Sequence, residues 1–115
     1  MQETSQYLQK LQNQIKPALR QDIQKELMIV GKLLNIPIEK YPDKEAFEGW
    51  ITILEEYPID LIKMASKNIL KTHKYQNFPL IAEFTLFMDD LLKERKKAIH
   101  EEKRFLKDQK FIKSL

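Results

Sequence analysis

The sequence predicts an all-α fold, a small bundle of four to five helices with a basic helical extension at its C-terminus. The chain has two glycines in 115 residues, so it lacks the residues that tight β-turns need at positive φ. Apolar residues recur at intervals of three and four, which is the period of an amphipathic helix. Hydrophobic residues make up 43% and charged residues 32% of the chain, a composition typical of a soluble folded domain rather than a disordered one.

The first helical region is predicted over roughly residues 4–34. Its apolar residues step by three or four and form one stripe along a helix. The stripe consists of Leu8, Leu11, Ile15, Leu19, Ile23, Leu27, Val30 and Leu34. Because strict heptads are not sustained, the stripe predicts a core-facing helix rather than a coiled-coil seam. Pro17 interrupts it and leaves two alternatives: one kinked helix, or one helix that ends near Ile15 and a second with Pro17 in its first turn.

A loop and two further helices are predicted in the middle of the chain. Pro37 and Pro42 mark the loop, and Asp43 is suited to cap the helix that follows. Tyr57 and Pro58 end that helix, and the next begins directly after them, so the pair should pack as a hairpin or corner. We expect the core to be built on Phe47, Trp50, Leu54, Ile62, Ile69, Ile81, Phe84 and Phe87.

The last helix is predicted to begin at Phe78 and Pro79, after a polar loop over residues 71–77. Proline is favoured in the first turn of a helix and disfavoured further in. Phe78 is placed to fold back on that first turn as a hydrophobic staple. Glu83 should lie near the positive end of the helix dipole, which favours a carboxylate.

The charge of the chain changes at residue 93. Residues 93–115 hold nine Lys and Arg against four Asp and Glu, a net charge of +5, which leaves −2 for residues 1–92. We therefore divide the chain into a helical body, residues 1–92, and a basic tail, residues 93–115. The apolar rhythm of the tail predicts a helix that extends past the core.

Two sets of candidate binding residues lie in this tail. Apolar side chains exposed on a free helix predict a protein partner's groove or self-association, although a simply solvated helix also accounts for the pattern. These partner-binding candidates are Phe105, Leu106, Phe111 and Ile112. Cationic side chains would instead neutralise phosphates, which makes binding steeply dependent on salt. These nucleic-acid-binding candidates are Lys93, Arg95, Lys96, Lys97, Lys103 and Arg104.

The sequence offers little that would carry out catalysis. It has no Cys and no glycine-rich phosphate loop, which removes thiolate chemistry and nucleotide hydrolysis. His73 and His100 lack the spacing of a metal site, so both are predicted to be surface residues. Adjacent acids such as Glu55 and Glu56 point in different directions on a helix. We therefore expect a chain that is not an enzyme and that has no cofactor and no metal site.

Nothing in the sequence predicts a membrane or an export route. No apolar run approaches the roughly 18 residues of a membrane span. Residues 1–6 lack the basic segment and apolar core of a secretory signal. We therefore expect a cytoplasmic protein without a membrane partner.

A set of residues in the middle of the chain resembles a known family. A Trp followed by Leu and Tyr precedes an amphipathic helix containing Ala, and Phe-Pro then leads into Ile-Ala-Glu. These residues are Trp50, Leu54, Tyr57, Ala65, Phe78, Pro79, Ile81, Ala82 and Glu83. The pattern resembles the small phage proteins that load or inhibit replicative helicases. The resemblance implies a helical protein that binds a hexameric replicative helicase of host or phage, helps to deliver it to an origin complex, and engages it through its C-terminal region.

Three functions are compatible with the sequence. The first is a non-catalytic adaptor that binds a replicative helicase and loads or inhibits it during phage-type DNA replication. The second is a nucleic-acid-binding protein that uses the basic tail, although the body is acidic and a helix-turn-helix signal with a glycine turn is missing. The third is a phage inhibitor of another host machine.

Overall fold

The computed structural model describes the backbone of residues 2–114 and the side chains of residues 6–110. Over the described backbone the chain forms five α-helices and no strand, and it is 76% helical. The α-helices are α1 (Gln2–Asn13), α2 (Arg20–Leu33), α3 (Lys44–Leu54), α4 (Ile59–Thr72) and α5 (Ile81–Ser114). A short 3-10 helix, Ile38–Lys40, lies between α2 and α3. The predicted all-α bundle is confirmed.

The core of the body lies between α2, α4 and the first half of α5. α4 packs against both of the others, and α3 packs on α2. Fully buried side chains of these helices are Ile23, Leu27, Val30, Leu54, Leu61, Ile62, Ile69, Phe84 and Met88. Within each helix they are spaced by three, four or seven residues, except for the adjacent pair Leu61 and Ile62, and so lie on one face, which is how an amphipathic helix buries its apolar side.

The predicted core residues fall into two groups. The buried ones are Leu54, Ile62, Ile69 and Phe84. The others pack against the edge of the core and are only partly buried: Phe47, Trp50, Ile81 and Phe87. Periodicity predicted which face of each helix turns inward. How deeply a residue lies depends on which helices cover it, and α4 is the central helix because it packs against both α2 and α5.

α1 and α2 are separate helices joined by residues 14–19, which decides against a single kinked helix. Pro17 lies inside this connection, before α2 begins at Arg20, and so is not in the first turn of α2. The backbone N–H of Ala18 donates to the carbonyl of Tyr57 at 3.0 Å, which ties the connection to the α3–α4 junction. The connection also breaks the predicted apolar stripe, because Leu19 is 60% exposed.

α2 ends in a Schellman motif. The backbone N–H of Ile36 donates to the carbonyl of Gly31 at 3.0 Å, and that of Asn35 donates to the carbonyl of Lys32 at 3.1 Å. This motif requires a left-handed residue just after the helix, and Asn35 adopts it with a φ of 56°. Pro37 follows at once and prevents the helix from continuing.

The later helices begin close to their predicted signals. Asp43 caps α3 as predicted, because its Oδ1 accepts a hydrogen bond from the backbone N–H of Ala46 at 2.8 Å. Pro58 directly precedes α4. α5 begins at Ile81, two residues after Pro79, so this proline stands before the first turn rather than within it.

An aromatic cluster packs over α2 at a glycine. The ring of Phe78 lies 4.9 Å from that of Tyr41, 5.6 Å from that of Trp50 and 6.5 Å from that of Phe47, measured between centroids. A Cβ atom built on Gly31 would stand 2.1 Å from the hydroxyl oxygen of Tyr41. Only glycine therefore allows Tyr41 to approach α2 so closely.

α5 continues without a break past the predicted boundary at residue 93. At 1.5 Å per residue its 34 residues span about 51 Å, and the molecule measures 67 × 24 × 19 Å. α1 packs against α5, with Leu11 of α1 and Ile99 of α5 both buried. We call α1 together with residues 96–114 of α5 the arm. The predicted helical extension is therefore paired with a second helix.

Candidate interaction surfaces on the arm

Arg95 holds the arm where it leaves the body. Its guanidinium donates two hydrogen bonds to the carboxylate of Asp60, at 3.0 and 2.6 Å, and one to the backbone carbonyl of Gln14, at 2.7 Å. Asp60 lies in the first turn of α4 and Gln14 directly follows α1, so one side chain joins three helices. The hydrogen bond from Arg95 holds the pKa of the Asp60 carboxyl below its usual range. Arg95, predicted to contact nucleic acid, is instead engaged within the chain and leaves the set of candidate phosphate ligands.

One side of the outer half of α5 faces α1. The side chains on this side are Ala98, Ile99, Glu102 and Leu106, each buried or partly buried. Their spacing of one, three and four residues keeps them on one face of the helix. Leu106 was predicted to bind a partner. It lies on this covered side, so only part of its surface is available.

A basic face occupies a second side of α5. Its eight side chains are exposed and consist of Lys93, Lys96, Lys97, His100, Lys103, Arg104, Lys107 and Lys110. With 3.6 residues per turn, this spacing confines them to a sector of about 140° around the helix axis. Five of the six predicted phosphate ligands lie here, and helix geometry adds Lys107 and Lys110.

Phe105 projects from the side opposite the basic face and is 51% exposed. Exposed acids follow one another on α5 at intervals of seven, between the side of Phe105 and the edge of the basic face: Glu94, Glu101 and Asp108. Because the cations and Phe105 lie on different sides, the two predicted sets of binding residues can be altered independently. The remaining candidates, Phe111 and Ile112, lie outside the residues whose side chains the structure describes.

A hydrogen bond from Tyr57 also attaches α5 to the body. The Tyr57 hydroxyl donates to the carboxylate of Asp89, and the residue is 7% exposed. Burial, together with this hydrogen bond, raises the pKa of Tyr57 to about 12. The hydroxyl therefore stays protonated at neutral pH and acts as a donor that positions α5.

His73 is not the surface residue that the sequence predicted. Its side chain is 5% exposed. Nδ1 lies 3.1 Å from a carboxylate oxygen of Glu83, and Nε2 lies 2.7 Å from the backbone carbonyl oxygen of Asn77. Both ring nitrogens face acceptors, so the imidazole closes the loop between α4 and α5. His100 is exposed, as predicted.

Among residues 6–110, no group of three or more His, Asp or Glu side chains is placed to hold a metal ion. An open groove of about 460 Å³ between α2 and α4 is lined largely by apolar side chains, including Ile29, Leu33 and Met64. Of the helices that the structure describes, none combines the length and the apolar character needed to cross a membrane.

Two features of these surfaces were missed by sequence reasoning. The full extent of the basic face can be found from the spacing of Lys and Arg between Lys93 and Lys110, once the segment is known to be one straight helix. The pairing of α1 with α5 carries no comparable signal. α1 is rich in Gln, and its short apolar stripe predicts a buried face without naming the helix that covers it.

Comparisons of the chain with protein-family models, with curated proteins and with solved structures find no match. Function is therefore inferred from the residues and geometry of this chain, and from the residue pattern that resembles the phage helicase loaders.

Proposed function

We propose that this protein is a non-catalytic adaptor that binds a replicative helicase in the cytoplasm and loads or inhibits it during phage-type DNA replication. The observation that carries the binding role is Phe105, an aromatic side chain 51% exposed on the arm. Aromatic residues are enriched at the centres of protein interfaces because each buries a large area with few rotamers to fix. Packing of α1 against α5 holds the arm in place before binding, which reduces the entropy lost on association.

The class of partner comes from the resemblance to phage helicase loaders. Most residues that carry it lie in the body, where Tyr57 bonds to α5 and Trp50 packs on Phe78. In that family the C-terminal region engages the helicase, and in this chain that region is the outer half of α5. An inhibitor of another host machine would use the same surface and would differ only in the partner that it binds.

A titration against a hexameric replicative helicase tests the proposal, with ATP hydrolysis and DNA unwinding as readouts. An adaptor changes both in proportion to the complex formed and saturates at a fixed stoichiometry. Phe105→Ala should weaken the effect at least about tenfold, as expected for an interface centre. Leu86→Ala is the matched control, because Leu86 is an apolar residue of α5 that is 75% exposed beside the body.

The contrary outcomes are distinct. No effect of the parent chain at any ratio removes the helicase assignment. Equal losses for Phe105→Ala and Leu86→Ala place the interface elsewhere. Turnover of a small substrate by the purified chain alone removes the non-catalytic role.

A further inference from the structure

The basic face lies on the other side of α5 from Phe105, so the proposed protein contact leaves it without a role. We propose that this face binds the phosphate backbone of double-stranded nucleic acid without sequence preference. The proposal is independent of the helicase assignment, because it rests on a different set of side chains.

The positive charge of this face is not cancelled by its surroundings. Within the described side chains, the ion pairs involve Arg20, His73 and Arg95, and none includes a cation of the basic face. The exposed acids Glu94, Glu101 and Asp108 border one edge of the face, three or four residues from Lys97 and Arg104, whereas Lys96, Lys103, Lys107 and Lys110 have no acid at that spacing on α5. Over residues 6–13, α1 contributes one charged residue, Lys10. The centre and the outer end of the basic face therefore carry positive charge with no acid on the adjacent turns of α5.

The dimensions of the face suit a duplex. From Lys93 to Lys110 the helix extends about 27 Å, the length of about eight base pairs at 3.4 Å each. Each helical turn supplies one or two cations along this line. Without α1, residues 14–92 hold ten Lys and Arg against twelve Asp and Glu, a net charge of −2, so a polyanion is attracted to the arm and repelled from the body.

The residue types decide between kinds of polyanion. Six of the seven Lys and Arg on the face are Lys, which act as point charges on phosphates and lack the rigid planar fork of donors that Arg offers. The only ring among the eight side chains of the face is the imidazole of His100, and without a Phe, Tyr or Trp among them successive unpaired bases have no stacking platform, so a single strand gains little there. It also has no apolar side chain, which an anionic membrane surface would need for insertion.

Fluorescence anisotropy with a labelled 20-base-pair DNA duplex tests the proposal, using the full chain between 50 and 200 mM potassium chloride. The logarithm of the affinity should fall linearly with the logarithm of the salt concentration. Lys96→Gln combined with Lys103→Gln should lower the affinity about tenfold at 50 mM salt and reduce the slope by about 1.8, because two phosphate contacts are lost. Glutamine is a good helix former, so the arm should remain helical.

The control removes the same charge elsewhere. Lys63→Gln combined with Lys67→Gln neutralises two exposed lysines of α4 and should change the affinity less than twofold. Phe105→Ala should bind the duplex like the parent, which separates this site from the protein contact.

Several results would overturn the proposal. They are no binding of the duplex at 50 mM salt, equal losses in the two double variants, and tighter binding of a 20-nucleotide single strand of dT. Binding to phosphatidylserine-containing vesicles with no binding to the duplex would assign the face to membranes instead.

Discussion

The body and the arm are both helical, but they are held together by different amounts of buried surface. In the body, α2, α4 and the first half of α5 enclose a central layer of side chains with no exposure, among them Leu27, Phe84 and Met88. In the arm, the buried positions among the described side chains are Leu11 and Ile99. Because the arm consists of only two helices, each of them is covered on one side by the other and exposed to water on its remaining sides.

This difference separates stability from recognition. The body has the enclosed core that a small domain needs, and the arm has exposed faces that a partner can reach. Elements with few buried contacts open locally at lower free energy than the core does. α1 is therefore expected to be the first helix to detach, and its detachment would expose Ile99 and the covered side of α5.

The largest expected effect contrasts one residue of each region. Phe84→Ala should lower the free energy of unfolding by about 3–5 kcal/mol, because it leaves a cavity in an enclosed core. Ile99→Ala should cost only about 1 kcal/mol, because the loss cannot exceed the free energy that docks α1. Urea denaturation measures both values, and amide hydrogen exchange should show faster opening of α1 in the second variant alone. Equal costs would mean that arm and body unfold as one unit.

The next effect comes from replacing each of the two glycines with alanine, which tests how tightly the aromatic cluster packs against α2. Gly31→Ala should destabilise by about 1–3 kcal/mol, because the new methyl group displaces the ring of Tyr41 from Phe78. Gly49→Ala should stabilise by up to about 1 kcal/mol, because it gains helix propensity and no atom lies within 4 Å of the added Cβ. Thermal unfolding of the two variants provides the comparison. If both substitutions raised the melting temperature, the ring of Tyr41 would have to move aside without a cost in stability.

Much of the body could be predicted because its signals are local. Asp43 caps α3 as its position before an apolar run indicates, and α4 begins directly after Pro58 as predicted, although α3 already ends at Leu54, before Tyr57. The spacing of apolar residues predicted Leu54, Ile62, Ile69 and Phe84 as core. These features depend on neighbours within one or two helical turns, which a sequence displays directly.

The features that could not be predicted depend on residues far apart in the chain. Arg95 contacts Asp60 and Gln14, which lie 35 and 81 residues away. The number of charges in the tail therefore could not indicate that Arg95 pairs within the chain. The ring of His73 is held in place by Glu83 and by the carbonyl of Asn77, and no apolar spacing in the sequence indicates that it is buried. Sequence gives the chemistry of such groups, and tertiary packing decides whether they face a partner or the chain itself.

A smaller effect probes the junction of body and arm. Arg95→Ala should cost about 1–2 kcal/mol at neutral pH, because it removes hydrogen bonds to a carboxylate and to a helix end. Arg20→Ala removes a more exposed arginine, whose side chain is 47% exposed beside Glu48 and Glu55, and should cost less than Arg95→Ala, because water screens an exposed ion pair. Urea denaturation at pH 7 distinguishes the two. A larger cost for Arg20→Ala would contradict the role of Arg95 as the joint.

The same junction has a defined pH dependence. Because Arg95 lowers the pKa of Asp60 in the folded protein, the ionised carboxylate stabilises the fold above its unfolded pKa, about 3.9. That stabilisation is lost as the pH falls through the lower folded value. The stabilities of the parent and of Arg95→Ala should therefore converge as the sample is acidified below about pH 4. A constant difference down to pH 2 would place the contribution of Arg95 in packing rather than in the ion pair.

The smallest expected effect comes from a substitution that should stabilise the body and leave the stability of the arm unchanged. Asn35 holds a left-handed conformation, with a φ of 56°. This conformation is strained for a residue with a Cβ atom and unstrained for glycine. Asn35→Gly should therefore stabilise the body by about 0.5 kcal/mol, the relief of strain being partly offset by the greater freedom of glycine in the unfolded chain. If the regions open separately, exchange of core amides in α4 should slow by about twofold, while exchange of α1 amides stays at the parent rate. Asn35→Ala is the control, since it keeps the strain but loses the side chain that best tolerates it, and it should destabilise. Slower exchange in α1 as well would show that the arm opens only when the body unfolds.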